Sequence, residues 1–181
     1  LTLNVKLMAY QLTSETDGFG NSAYDSELMI AANAKELKEV LADSKNVILA
    51  SDIKLTNTDE CVTMSAATFD GNGKVITYNG ERVNESSVGV VTTSGGKISN
   101  LTINGNENGR ALYVTKLTSD LVVSDCTFSG AYSFNLNSAA KNENAIISFI
   151  DTTFKSWTSY ANVAKHAYFT GCTFGGVLKP Y

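Results

Sequence analysis

The sequence predicts an all-β fold, a single solenoid in which short parallel strands wind into about six stacked coils. Three observations predict it: a four-residue unit with alternating apolar positions recurs six times, the units lie 20 to 26 positions apart, and no stretch between them is long enough for a helical crossover. Repeats of this length bury their apolar faces by stacking each coil on the previous one. The six units are Asp52–Leu55, Val75–Tyr78, Asn100–Ile103, Asp125–Phe128, Asp151–Phe154 and Gly171–Phe174.

The composition supports this class and excludes others. The chain has 181 residues, a formal charge of −4, 43% apolar residues and only 18% charged residues. The acidic balance argues against nucleic acid as a partner, and the apolar content is too high for disorder. The longest apolar runs are too short to cross a bilayer, so no membrane-spanning helix is expected.

Stacked coils place equivalent side chains in ladders about 4.8 Å apart. The last residue of each unit predicts one inward ladder, made of Leu55, Tyr78, Ile103, Phe128, Phe154 and Phe174. The residue two positions earlier predicts a second inward ladder that contains Cys126 and Cys172. These cysteines would lie two coils apart, about 10 Å, which is too far for a disulfide, so we expect both to be reduced.

The first position of the unit is polar in most coils. It holds Asp52, Asn100, Asp125 and Asp151, residues that tolerate turn conformations and bond nearby backbone. Asp125 and Asp151 would be stacked neighbours about 5 Å apart, and two close carboxylates could hold calcium, the one cofactor considered. The alternative is that both aspartates only end strands at a solvated turn.

The chain is expected to divide into three segments. Residues 1–45 form an N-terminal strand (Leu1–Leu7) and a helical cap, residues 46–176 the β-helix and residues 177–181 a C-terminal tail. The cap is predicted from Asn33 and Glu36, which suit a capping box, followed by an apolar helix face at residues 37, 40 and 41. The start at Leu1 without Met predicts a mature secreted product or an excised piece. At the C-terminus we expect a short covering tail, further chain or a stacking partner protein.

These repeats resemble the right-handed parallel β-helix proteins of the pectate-lyase-like superfold, which have Asn ladders and stacked aromatic residues. The resemblance covers roughly residues 28–176 and implies a right-handed coil. Enzymes of that superfold use acidic calcium ligands and a basic residue that acts as a Brønsted base along one strand face. The runs 88–91, 111–114 and 134–136 contain no acidic residue. The resemblance therefore implies the fold more strongly than an activity, and no catalytic residue is assigned.

Three aromatic residues suggest a binding surface. Trp157 and Tyr160 lie among Ser and Thr residues, and Tyr132 lies one coil earlier. Exposed aromatic rings amid hydroxyl and amide groups can stack on sugar rings. The alternative is that these side chains pack down over the coil surface.

The function expected from these features is a non-catalytic extracellular module, an adhesin-like or appendage protein of bacterial or phage type that presents a rigid surface to glycans. A polysaccharide-active enzyme and a purely structural segment are the alternatives.

Overall fold

The computed structural model describes residues 28–43, 46–65, 67–137, 142–160, 164–176 and 178–180. Its strands wind into a parallel β-solenoid with three faces per turn, which confirms the predicted fold class. The strand predicted at Leu1–Leu7 lies outside the described residues. The hand of the coil and the three segment boundaries stay predictions.

Each face is a stack of parallel strands, each paired with the strands before and after it in the stack. The first face consists of β1 (Leu28–Ala31), β2 (Asn46–Leu49), β9 (Leu121–Ser124), β12 (Asn142–Ile150), β15 (Ala164–Thr170) and the first halves of β5 (Thr68–Tyr78) and β7 (Gly96–Asn104). The second face consists of β3 (Ile53–Leu55), the second halves of β5 and β7, β10 (Thr127–Ser129), β13 (Thr153–Phe154) and β16 (Thr173–Phe174). The third face consists of β4 (Val62–Met64), β6 (Val88–Thr93), β8 (Gly109–Val114), β11 (Tyr132–Leu136), β14 (Thr158–Tyr160) and β17 (Leu178–Pro180).

The described chain completes about five turns, fewer than the six coils predicted. The third face shows why, because its six strands in the order β4-β6-β8-β11-β14-β17 are separated by five turns of chain. The six repeated units correspond to the six strands of the second face.

The interior of the solenoid is filled by ladders of apolar side chains, as predicted. Phe128 pairs in register with Ile103 on one side and with Phe154 on the other, and all three are fully buried. Phe154 in turn pairs with Phe174, with the two rings stacked 5.0 Å apart. Neighbouring rings at these distances add to the stabilisation that comes from area burial.

The predicted pairing of Tyr78 with Ile103 is wrong. Tyr78 does pair with Leu55, but Ile103 pairs with Ile76, two residues earlier in β5. The cause is the corner between the first and second faces, where residues 71–73 of β5 lie opposite the single residue Asn100 of β7. The two additional residues shift all of β5 that follows by one inward position.

The same corner confirms the turn role predicted for the polar first position. Asn100, Asp125 and Asp151 all have φ between 46° and 53°, and Gly171 continues the series at 65°. This left-handed region suits Asn, Asp and Gly best. Asp52 is an exception, since it lies outside that region and uses its carboxylate to accept a bond from the Val75 N–H at 2.9 Å.

One glycine in this corner is required by close approach. A Cβ on Gly71 would lie 2.5 Å from the Asn100 carbonyl oxygen and 2.6 Å from the Leu101 Cβ. Any larger residue would separate β5 from β7 at this point.

A short helix packs against the first turn near the N-terminus, as predicted. Helix α1 (Ala34–Ala42) follows the cap residue Asn33, whose side chain accepts from the Glu36 N–H at 3.0 Å. Glu36 in turn accepts from the Ala32 N–H at 2.8 Å, which completes a close relative of the capping box. The helix connects β1 to β2 and packs its buried apolar face, Leu37 to Leu41, against β4 and the first turn.

The three cysteines are free thiols, as predicted for Cys126 and Cys172. Burial raises the pKa of the Cys126 thiol to about 12 and that of Cys61 to about 11. Within the part of the chain described, no helix is long and apolar enough to cross a membrane.

Candidate functional site

Two of the three predicted ligand-binding aromatics meet on the outside of the third face. The rings of Tyr132 and Trp157 lie 5.1 Å apart with an interplanar angle of 31°, and both residues are partly exposed. Tyr160 belongs to β14, where its backbone pairs with Pro180, and its side chain lies outside the described part. Tyr132 and Trp157 therefore lie side by side on adjacent turns, and their role in binding stays a prediction.

Two residues that the sequence interpretation did not assign extend this surface. Arg110 pairs in register with Tyr132, and its guanidinium carbon lies 5.5 Å from the centre of the Tyr132 ring. The same guanidinium lies 4.6 Å from the centre of the Tyr113 ring on its own strand. We call Tyr113, Arg110, Tyr132 and Trp157 the aromatic row.

The strands of the third face support the side chains of the aromatic row. Tyr113 lies over Gly89 of β6, where a Cβ would come within 3.1 Å of the tyrosine side chain. The absence of a side chain at Gly89 allows the ring to lie against the sheet. The row thus extends over β6, β8 and β11 to Trp157, the residue that precedes β14.

Ser133 fixes the backbone beside Trp157. Its hydroxyl is buried, donates to the Phe128 carbonyl at 2.8 Å and accepts from the Ser156 N–H at 2.8 Å. The Ser133 N–H also donates to the Trp157 carbonyl at 2.8 Å. A buried hydroxyl with both donor and acceptor functions engaged fixes its neighbours strongly.

The predicted carboxylate pair lies elsewhere, at the corner between the first and second faces. Asp125 and Asp151 are exposed and occupy equivalent positions in consecutive turns, with the Asp125 N–H donating to the Ile150 carbonyl at 3.1 Å. A surface recess of about 400 Å³ beside Asp125 is lined by Asp70, Asn72, Asn100 and Asp125, among others. Asp70 there accepts from the Asn72 N–H at 2.8 Å and from the Asn100 side chain at 3.2 Å.

The corner carboxylates act as turn residues in this arrangement. Among the described residues, no group of three or more His, Cys, Asp and Glu side chains is placed to hold a metal ion. Calcium binding by Asp125 and Asp151 stays a prediction.

The aromatic row could have been found from the sequence with the correct register. Arg110 and Tyr132 are separated by one repeat, as are Tyr132 and Trp157, so each is a neighbour of the next in stacked turns. The separation of Arg110 from Tyr132 is the weaker indication, because Arg110 follows a glycine-rich turn outside the recurring unit.

The comparisons with known proteins supply no relative. No family model matches the chain, and searches of curated proteins and of solved structures found no match. The fold assignment therefore rests on the strand pairing itself.

Proposed function

We propose that this chain is a non-catalytic extracellular module that binds glycans on its third face, in the manner of an adhesin or an appendage protein. The observation that carries the proposal is the adjacent, partly exposed pair of Tyr132 and Trp157 rings within the aromatic row. The C–H face of a sugar ring packs well on an aromatic ring, while its hydroxyl groups bond to polar neighbours.

The rigidity of the platform favours binding. Tyr132 lies on a strand that is paired on both sides, with β8 and with β14, and Trp157 adjoins β14. Binding to such a surface requires little ordering of the protein, so less of the interaction free energy is lost.

We also propose that the chain is a right-handed member of the pectate-lyase-like superfold. The parallel three-faced stack and the left-handed corner residues Asn100, Asp125 and Asp151 support this proposal. A solved structure with the opposite hand would remove it.

A glycan array probed with the purified chain tests the binding proposal. We expect the wild type to bind a subset of oligosaccharides, and Trp157→Ala and Tyr132→Ala each to weaken that binding at least tenfold. Tyr168→Ala is the matched control, because Tyr168 is a 51% exposed aromatic residue of the first face. It should bind like the wild type.

Two results would contradict the proposal. An array that stays blank for the wild type removes glycan binding, and equal binding by Trp157→Ala and the wild type removes this site. Release of reducing ends from polysaccharides by the wild type would instead support the alternative, a polysaccharide-active enzyme.

A second proposed partner is another protein that stacks on the last described turn. Phe169 and Phe174 in that turn are only partly buried, unlike the fully buried Phe149 and Phe154 of the turn before. Sedimentation measures the molecular mass of the wild type, and separately of Phe174→Ser, at increasing protein concentration. A mass that rises for the wild type but not for the variant would show self-stacking. A monomer at every concentration would exclude a second copy as this partner.

A further inference from the structure

Arg110 is the one cation within the aromatic row. Its guanidinium lies between two tyrosine rings, 4.6 Å from the centre of Tyr113 and 5.5 Å from that of Tyr132. Stacking of this kind holds the planar group in one orientation while leaving its edge available for hydrogen bonds.

The Nε–H group of Arg110 has no acceptor among the residues that the structure describes. This Nε is buried, and no ion pair of that part of the chain includes Arg110. Arg82 differs, because its guanidinium donates to the Glu107 carbonyl at 2.8 Å and to the Asn108 side chain at 3.3 Å. The chain has two arginines, and among the described residues Arg82 alone of the two has its side-chain donors engaged.

A partly buried guanidinium without an acceptor is costly, because desolvation is not offset by a bond. A planar or tetrahedral anion can compensate the charge, because it can accept two N–H bonds from the two terminal Nη groups, which are not among the buried atoms that lack a partner. Arg110 lies beside Tyr132, whose ring contacts Trp157, so an anion bound by Arg110 would lie on the same surface as these two rings.

We infer that Arg110 binds an anionic substituent, a carboxylate or a sulfate, of the sugar chain that packs on the aromatic row. The inference rests on the proposed glycan-binding function and adds the ligand class to it. Tyr132 and Trp157 contact the sugar rings, and Arg110 selects for charge. Binding to the acidic probe should weaken at higher salt, because part of the interaction is electrostatic.

Trp157 provides the measurement, since it is the single tryptophan of the chain and lies within the row. Its fluorescence is titrated with a matched series of α-1,4-, β-1,3- and β-1,4-linked gluco-oligosaccharides, each in neutral, C6-carboxylated and C6-sulfated form. The carboxylated and sulfated arms separate the two sources of negative charge. We expect at least one acidic form to bind tenfold or more tightly than its neutral counterpart.

Variants of Arg110 then separate charge from geometry. Arg110→Gln should abolish the preference for charge, so that its affinity for the acidic probe falls at least tenfold, to its affinity for the neutral probe. Arg110→Lys keeps the charge but loses the two-bond fork, so its affinity should be intermediate. Arg82→Gln is the matched control and should bind every probe like the wild type.

The outcomes distinguish the two proposals. Equal affinity of the wild type for neutral and acidic probes, or an unchanged acidic preference in Arg110→Gln, overturns the anion site and leaves glycan binding standing. A wild type whose Trp157 fluorescence responds to no probe, together with a blank glycan array, overturns both.

Discussion

The ring of Trp157 contacts the ring of Tyr132 across two adjacent turns, at a centroid distance of 5.1 Å and an interplanar angle of 31°. That distance is close to the separation of neighbouring strands in a sheet. The backbone of the solenoid therefore sets the spacing of the aromatic row, and the two side chains only have to point outward. Changes that alter the backbone at this point should alter the site without touching either ring.

Ser133 is the residue that tests this dependence. Ser133→Ala removes the hydroxyl that bonds the Phe128 carbonyl and the Ser156 N–H, and leaves both backbone groups without that partner. We expect the free energy of unfolding to fall by about 1–3 kcal/mol, and the Trp157 emission to change. Ser129→Ala, which removes a partly buried hydroxyl bonded to the Asn104 side chain at 3.3 Å, should change both much less. Urea titration followed by Trp157 fluorescence measures both quantities, and a Ser133→Ala profile that matches the Ser129→Ala profile would contradict this role.

Phe154 should be among the most sensitive positions of the interior. It is fully buried and its ring contacts those of Phe128, Phe149 and Phe174. Phe154→Ala should lower the free energy of unfolding by about 3–5 kcal/mol, because a cavity remains between three turns. The exposed control Tyr168→Ala should change it by less than about 0.5 kcal/mol. Similar urea midpoints for the two variants would be incompatible with the stacked interior.

The corner aspartates should respond to backbone preference rather than to charge. Asp125→Asn keeps a residue that tolerates φ of 53°, so stability should change little. Asp125→Val places a β-branched residue in the left-handed region and should cost about 1–2 kcal/mol. Thermal unfolding measured with calcium and with EDTA separates this role from a metal site. A calcium-dependent rise in melting temperature that Asp125→Asn abolishes would show that the carboxylate binds the ion.

Stability should fall in alkaline solution through Cys126. Its thiol ionises near pH 9.0 when unfolded, but burial raises its pKa to about 12 in the folded chain. Between these values the folded state holds one more proton than the unfolded state, so the free energy of unfolding decreases as pH rises. Its contribution is complete below pH 9 and is lost towards pH 12.

Chemical denaturation of the wild type and of Cys126→Ala at pH 8 to 11 measures this effect. The difference in the free energy of unfolding between the wild type and Cys126→Ala should decrease as pH rises, because the variant has no thiol to ionise at this position. A difference that stays constant over that range would contradict it.

Much of the architecture could be predicted from the sequence because the repeats are local. The alternation of apolar and polar residues in each unit predicts that Phe128 and Phe154 point inward, and both are buried. The recurrence of Asp and Asn at the first position predicts turn conformations, and Asn100, Asp125 and Asp151 have left-handed φ. These features depend on one coil and its neighbour, so a short pattern suffices to predict them.

The register across the second and third turns could not be predicted in the same way. The spacing from Tyr78 to Ile103 matches the repeat, but residues 71–73 form an insertion within the corner rather than in a loop. Asn72 and Gly73 both have positive φ and lie in this insertion. The insertion leaves the spacing of the repeated units within its usual range, but it shifts the strand pairing between β5 and β7. The same limit applies to the site, since the contact of Arg110 with Tyr132 depends on pairing between β8 and β11.

The stacking register is the claim on which the aromatic row and the interior both depend, and disulfide cross-linking tests it most directly. With the three native cysteines replaced by Ala, the paired residues Val75 and Thr102 are changed to Cys in one variant, and Thr77 and Thr102 in another. Strand partners lie about 4.8 Å apart, within reach of a disulfide, whereas residues offset by two positions lie about 8 Å apart. Rapid oxidation of the Val75–Thr102 pair alone is the predicted result. Preferential oxidation of the Thr77–Thr102 pair would contradict the register.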